Sequence, residues 1–464
     1  MGVFVGDFAK VGRLTSSQLA ELVESNEIET VIVAMVDMQG RLQGKRCDAR
    51  YFIDEVLSTS LEGCSYLLGV DVEMNTVDGY AITSWENGYG DFVMGIDPTS
   101  IRLVPWHPKT AICHADVLYG NERMVEQAPR TILKRQLERL AEHGYSAFVG
   151  TELEFIVFKD SYEEAWNGGY RNMTPVNLYN VDYSLLGTGR IEPLLYRIRS
   201  EMSGAGMSVE SVKGECNFGQ HELAFKYTEA LEKADEHALF KLGAKEIAAQ
   251  EGYSLTFMAK YNEREGNSCH IHMSLRDQAG RSVFHDPTSR GPIPGGSKVF
   301  EHFLAGQLAT LSELSLLFAP NINSYKRYVK GSFAPTAIAW GIDNRTCAFR
   351  VVGHGSALRL ENRIPGGDVN PYLAIAAMVA GGIYGIENEL ELPARTSGNA
   401  YIAEAERVPS NLKDAARLFA NSAIARDAFG QEVVEHYLNM AEIEIAAFEA
   451  AVTDWERFRS FERL

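Results

Sequence analysis

Two glutamates interrupt an otherwise apolar run in GTELEFIVF, residues 150–158. Strand side chains alternate faces, so Glu152 and Glu154 point the same way, roughly 7 Å apart at ~3.3 Å per residue. Carboxylates that close and partly buried are costly unless something positive lies between them. Three further segments repeat the pattern. In KGECNFGQHELAF (213–225), Asn217 and Gly219 make a turn that brings Glu215 and Glu222 together from adjoining strands of a hairpin. In EGNSCHIHMSL (265–275), His270 and His272 share one strand face, and in RLENRIP (359–365) Arg359, Glu361 and Arg363 do.

Taken singly, each segment has a plain explanation: an inward glutamate is most often salt-bridged, and a strand histidine is most often hydrogen-bonded. Four together point to cation binding. Five glutamates and one histidine offer mostly hard oxygen donors, which suit Mg²⁺ or Mn²⁺ better than zinc. Six ligands exceed what one ion needs if it is also to hold water and substrate, so two or more ions fit, and such pairs clamp phosphoryl groups. Arg345, Arg350, Arg359 and Arg363 follow in the same stretch, and guanidinium forks match phosphate and carboxylate. An alternative stays open, that these arginines only neutralise the glutamates. The residues taken alone read as divalent-metal phosphoryl transfer onto an anionic substrate.

The positioning elements follow from periodicity. The chain has 464 residues, 45% of them hydrophobic, enough for two or more domains. Residues 14–29 read as a short amphipathic helix capped at Thr15 or Ser16. VIVAMVD (31–37) and RLQGKRC read as an antiparallel hairpin, with further strands at 91–96 and 110–117. GRLQGKR is no phosphate-binding loop, since its spacing is one residue short and Arg46 stands where Ser or Thr is required. At APRTILKRQLERLAEHG (128–144) the pattern turns helical: Pro129 opens a helix, Ile132, Leu133, Leu137 and Leu140 share a face, and Gly144 ends it. The domain boundary is expected just before, near residue 124. Long helices are expected at about 192–205, 228–251, 297–318, 370–388 and 429–454.

Composition excludes several classes. Forty-four Lys+Arg against 62 Asp+Glu gives −18, and no basic run or aromatic-basic interleaving supports nucleic-acid binding. Six scattered cysteines without a CxxC pair indicate neither a disulfide framework nor a zinc module. The N-terminus MGVFVGDFAKVGRL lacks a leader's apolar core, and no stretch reaches membrane-span length. The expected setting is a reducing cytoplasm.

GTELEF, GECNFGQHE, GNSCHIHMS, NSYKRYVKGSFAPTAIAWGIDNR and RLENRIPGGDVNPYLAIAAM resemble, in order, the motifs of the glutamine synthetase family. They span most of residues 128–390. The resemblance implies an α+β fold: an N-terminal β-grasp domain (1–124), to which DMQGRLQGK is similar, and a catalytic domain (125–464) with a curved antiparallel sheet and surrounding helices. It implies two or three Mg²⁺ or Mn²⁺ ions, one on Glu154, Glu215 and Glu222 and another on Glu152, His270 and Glu361. ATP is implied as substrate, with Arg345, Arg350 and Arg359 on its phosphates and His272 and Ser274 also contacting the nucleotide. Gly266, Arg327 and Arg363 match positions that bind glutamate. The implied assembly is a homo-oligomer, a dodecamer of two stacked hexamers. The implied chemistry activates glutamate's γ-carboxylate as an acyl phosphate, which an amine then displaces.

The departures bear on which amine. Phe333, in KGSFAP (330–335), stands where ammonia-using members carry a flap glutamate, and phenylalanine accepts no proton. The family's DGSS sequence, whose aspartate attracts ammonium, is absent; LEGCS (61–65) is the nearest match, with Glu62 as a substitute. Both losses favour an organic amine over ammonia, in the style of γ-glutamylpolyamine and γ-glutamylethanolamide synthetases. A polyamine pocket would require compensating carboxylates, and none is evident in the sequence. Glu265 stands where many members have asparagine, with Asn267 beside it, and Ser356 stands where some have a lysine. Tyr401 lies near a tyrosine that some members adenylylate. Two rival readings remain, ordinary glutamine synthesis and a catalytically silent structural relative.

Overall fold

The computed structural model describes residues 11–120 and 123–464. Residues 1–10, part of the segment read as lacking a leader's apolar core, lie outside them. The first expected helix is shorter than its amphipathic stretch, Ser16–Glu24, because Thr15 closes a capping box with Gln18 at one end and Ser25 caps the other. The hairpin follows as expected, Thr30–Val36 antiparallel to Leu42–Asp48. Thr30–Val36 also runs parallel to Thr110–Tyr119, which pairs in turn with Asp91–Ile96. These strands, with Leu61–Cys64, Arg102–Leu103 and Arg123–Met124, make a seven-stranded mixed sheet.

The second sheet has nine strands and is built around Tyr145–Phe158. Cys269–Asp277 and Gln220–Phe225 flank this strand, both antiparallel to it. Beyond Cys269–Asp277 come Arg359–Asn362, Phe349–Val352 and Trp340–Ile342. The sheet is antiparallel apart from its edge, where Trp340–Ile342 and Phe349–Val352 run parallel. Leu153, Phe155 and Val157 point away from the two glutamates and are buried. There Phe155 meets Phe240, from the helix Ala230–Gln250, and Phe257. One face of the sheet is thus sealed, which leaves the polar residues of the other face to chemistry.

Behind this layer the helices Lys298–Phe318 and Pro371–Glu387 pack closely. A Cβ on Gly306 would lie 2.1 Å from the Gly381 carbonyl oxygen, so only glycine permits the approach.

Ion pairs around the buried Arg130 tie the first sheet to the helices that pack on the second. Arg130, on the helix Pro129–Glu142, donates to Asp116 and Asp97 of the first sheet region and to Asp235 of the helix Ala230–Gln250. Tyr372 donates a further hydrogen bond to Asp235 at 2.7 Å. The hairpin turn is held from the other side by Asn370, whose amide donates to the Met38 carbonyl at 3.0 Å. All six cysteines are unpaired. Among the described residues no helix is long and apolar enough to cross a membrane.

Candidate active site

Strand register brings the expected ligands together. Glu222 lies directly opposite Glu154, and His270 directly opposite Glu152. On the next pair His272 stands opposite Glu361. Gly219, at φ +71°, makes the turn that leaves Glu215 just beyond the end of Val209–Gly214.

The donor atoms form two oxygen-rich groups. Carboxylate oxygens of Glu154, Glu215 and Glu222 all lie within 4.8 Å of one another, and so do donor atoms of Glu152, His272 and Glu361. The second group therefore includes His272, which the sequence had assigned to the nucleotide. His270 borders the same group, with its Nδ1 3.3 Å from Glu152 and 3.5 Å from Glu361. Its Nε2 is buried without a hydrogen-bond partner. A buried unpaired ring nitrogen beside hard carboxylates fits a divalent cation, which supplies the charge that a protein interior otherwise lacks.

The electrostatics follow from crowding. Burial raises the Glu222 pKa, and the charge of Glu152 adds to it, so the carboxyl is pushed up to about 8. Burial also disfavours the Glu152 carboxylate, but hydrogen bonds to His270 and His272 outweigh it and hold the group well below the ordinary range. At Glu361 burial is likewise overcome, here by His270 and the Arg363 guanidinium, and its pKa is about 2. Burial, with Arg363 nearby, lowers the His270 pKa, so the ring is neutral near pH 7 and able to bind a metal. Lys213 is ion-paired to Glu215 and lies 3.8 Å from Glu222.

Two cavities meet at Glu152, which lines both. The first, of about 510 Å³, is walled by His272, Ser274 and Arg359, with Arg276 stacked 4.0 Å over the Phe148 ring. Ser356 lines it too. The second, of about 470 Å³, holds Glu154, Glu215, Glu222, His270 and Glu361, with Gly266, Phe333, Arg345, Arg350 and Arg363 around them. The five residues expected to hold the nucleotide therefore divide, His272, Ser274 and Arg359 lining the first cavity and Arg345 and Arg350 the second. A triphosphate lying across the Glu152 junction would reach both sets.

Arg350 donates to Asp343 and, at 2.9 Å, to Glu361, while Arg363 donates to Glu361 and to the Phe333 carbonyl. Two of the four arginines thus do neutralise a glutamate, whereas Arg345 is exposed on the cavity wall with no ion pair among the described residues. Arg327 lines neither cavity. It is buried behind Arg363, donating to the carbonyls of Ile364 and Arg363 and to the Ser268 hydroxyl. Glu62 also lies away from both cavities, on the edge strand Leu61–Cys64. The Tyr401 hydroxyl is engaged in donating to the Ala334 carbonyl, next to Phe333.

Several residues of the second cavity escaped the sequence reading: Asp182, Tyr183, Lys213, Cys216 and Gln220. Asp182 and Tyr183 come from an irregular loop with no periodic pattern to mark them. The one available signal was that KGEC and NVDY each place charged residues beside a turn.

The chain is similar to known proteins along most of its length. The family model described as glutamine synthetase, catalytic domain, matches residues 126–460. A gamma-glutamylethanolamide synthetase of Streptomyces coelicolor is 63% identical over 96% of this chain and 96% of its own. A glutamate–isopropylamine ligase of a Pseudomonas species is 38% identical over 95% and 97%. The solved structure of GmaS in complex with ADP superposes with a TM-score of 0.83, at 28% identity, covering 96% of this chain and 99% of that one.

Proposed function

We infer the activity from one premise: the chain belongs to the glutamine synthetase family. It is an ATP-dependent ligase that joins the γ-carboxylate of glutamate to an organic amine. The observation that carries the choice of amine is Phe333, an aromatic side chain lining the cavity that holds both carboxylate groups. Relatives named for ethanolamine and isopropylamine support a small monoamine. Ammonia is the weaker reading, because the position that would take its proton is aromatic.

The cavities support a division of labour. His272, Ser274 and Arg359 would hold the nucleotide in the first cavity, and Arg345 and Arg350 would face its terminal phosphate in the second. Gly266 and Arg363 would hold glutamate, with Arg327 fixing the backbone of Arg363 from behind. Two or three Mg²⁺ or Mn²⁺ ions, held by Glu154, Glu215 and Glu222 and by Glu152, His270 and Glu361, would supply charge neutralisation during phosphoryl transfer. His272 would join the second set or the nucleotide as the ring turns.

The γ-carboxylate of glutamate attacks the γ-phosphorus of ATP, so the bond to ADP breaks and an acyl phosphate forms. The amine, once it has lost its ammonium proton to solvent, attacks the carbonyl carbon through its nitrogen lone pair; phosphate leaves with the former carboxyl oxygen, and the nitrogen releases a second proton to give the neutral amide. Positioning dominates the rate, since guanidinium groups fixed by Glu361 and Asp343 need not reorganise as charge develops. Phe333 and its loop would keep water from the acyl phosphate.

The same premise supports a division into domains 1–124 and 125–464, a cytoplasmic setting and a dodecamer of two stacked hexamers. Exposed Trp455, Phe458, Phe461 and Leu464 support assembly, because apolar side chains this exposed call for a covering surface. The activity is tested by supplying ATP, glutamate and Mg²⁺ with ammonium or with single amines and following ADP release. ADP release with amines that exceeds release with ammonium supports the reading. Release with ammonium alone defeats it, and none with any nucleophile points to a silent relative.

A further inference from the structure

We propose that Asp182 is the specificity-determining carboxylate that receives the positively charged amine, an inference resting on the ligase reading above. An organic amine reaches the cavity protonated, so it needs an anionic partner before it can be oriented. Phe333, which lines the cavity, offers none.

All but one of the other carboxylates around the second cavity are already engaged. Glu361 is paired with Arg350 and Arg363, and Glu152 with the two histidines. Glu154 accepts from the Gln220 amide and the Ser268 backbone. Glu215 and Glu222 share Lys213. Glu265, beside Gly266, also has no ion pair among the described residues, but it is less exposed than Asp182. Asp182 is exposed on the cavity rim and has no ion pair among the described residues.

Its position suits the reacting end. The Asp182 carboxylate, the Glu215 carboxylate and the Cys216 sulfur lie within 4.8 Å of one another. Asp182 is held there by its neighbours: its backbone N–H donates to Asn180 Oδ1 at 2.8 Å, and the Tyr183 N–H reaches the Gly214 carbonyl at 3.4 Å. That second contact ties the loop to the strand that ends at Gly214, next to Glu215. The surrounding surface accepts the same chemistry from within the chain, since the Lys213 ammonium rests 4.9 Å over the Tyr183 ring. Asp182 would accept N–H bonds from the ammonium, while a short substituent lies between Tyr183 and Phe333, which line the same cavity. The ligand class is a small primary alkylammonium with one charge.

Steady-state kinetics on the full chain tests this with two nucleophiles, ethanolamine, which is protonated near pH 7, and hydroxylamine, which is not. Asp182→Asn should raise KM for ethanolamine about tenfold, the loss of one charge-assisted hydrogen bond, with kcat little changed. KM for hydroxylamine, glutamate and ATP should stay within about twofold of the parent. Asp182→Ser should behave alike, and Asp182→Glu should restore part of the affinity. An unchanged KM for ethanolamine, or an equal rise for hydroxylamine, overturns the role of Asp182 and leaves the ligase reading intact. A parent enzyme that uses hydroxylamine and ammonium but no organic amine removes both.

Discussion

Glu222 concentrates the electrostatic argument at the residue scale. Its carboxyl is raised to about 8 by burial and by Glu152, so between the ordinary carboxylate range and that value the folded protein holds a proton that the unfolded chain does not. Its contribution to stability therefore falls as pH rises through this window. A divalent cation on Glu154, Glu215 and Glu222 must displace that proton, so binding is opposed at lower pH. The thermal stabilisation given by Mn²⁺ should be larger at about pH 8.5 than at about pH 6.5. Scanning fluorimetry at both pH values measures it, and a larger shift at the lower pH would contradict the assignment. Glu222→Ala or His270→Ala should each cut turnover by at least about a hundredfold without dispersing the oligomer. Near-normal rates in either variant would speak against a cation at these residues. Which of the six side chains share a face was readable from alternation and, for Glu215 and Glu222, from the turn at Asn217 and Gly219, whereas their role as ligands came from the resemblance. Asp182 was not readable, because its loop has no period, and the entry of His272 into the second group depended on register between Cys269–Asp277 and Arg359–Asn362.

At the scale of elements, the loop around Phe333 sets the nucleophile. Phe333 itself has φ +55°, a left-handed backbone that a bulky residue rarely adopts, and its carbonyl accepts from Arg363. Tyr401 fixes the next carbonyl. Phe333→Glu should shift the ratio of ammonium to ethanolamine turnover toward ammonium, and the two substrates assayed side by side report it. An unchanged ratio would mean that the loop does not choose the amine. The helix Pro129–Glu142 gives a stability prediction. Asp235→Ala would leave Arg130 buried with fewer carboxylates and Tyr372 without its acceptor, at a cost of about 3 kcal/mol or more. Denaturant unfolding checks this, and a loss under about 1 kcal/mol would count against the network. Helix ends were legible wherever capping chemistry marks them, at Thr15, Pro129 and Gly144. The parallel edge strands were not, since their pairing depends on a crossover that no local pattern records.

For the whole molecule, the two sheets and the family were legible because five motifs fall in order along most of the chain. Assembly is an expectation from resemblance alone, and the exposed apolar side chains of Asp454–Ser460 and the residues after it are the surface on which it can be tested. Deleting residues 453–464 should reduce the sedimenting species to a smaller ring without lowering helix content, and an unchanged sedimentation coefficient would show that this segment holds nothing together. An acyl phosphate intermediate moves one γ-carboxylate oxygen of glutamate into phosphate. Glutamate carrying ¹⁸O in its γ-carboxylate, incubated with ATP, Mg²⁺ and equal ammonium and ethanolamine, separates the possibilities by mass spectrometry of both products. The account predicts mainly the γ-glutamyl amide of ethanolamine, with one labelled oxygen appearing in phosphate for each amide formed. Glutamine as the main product, or phosphate without label, would contradict it.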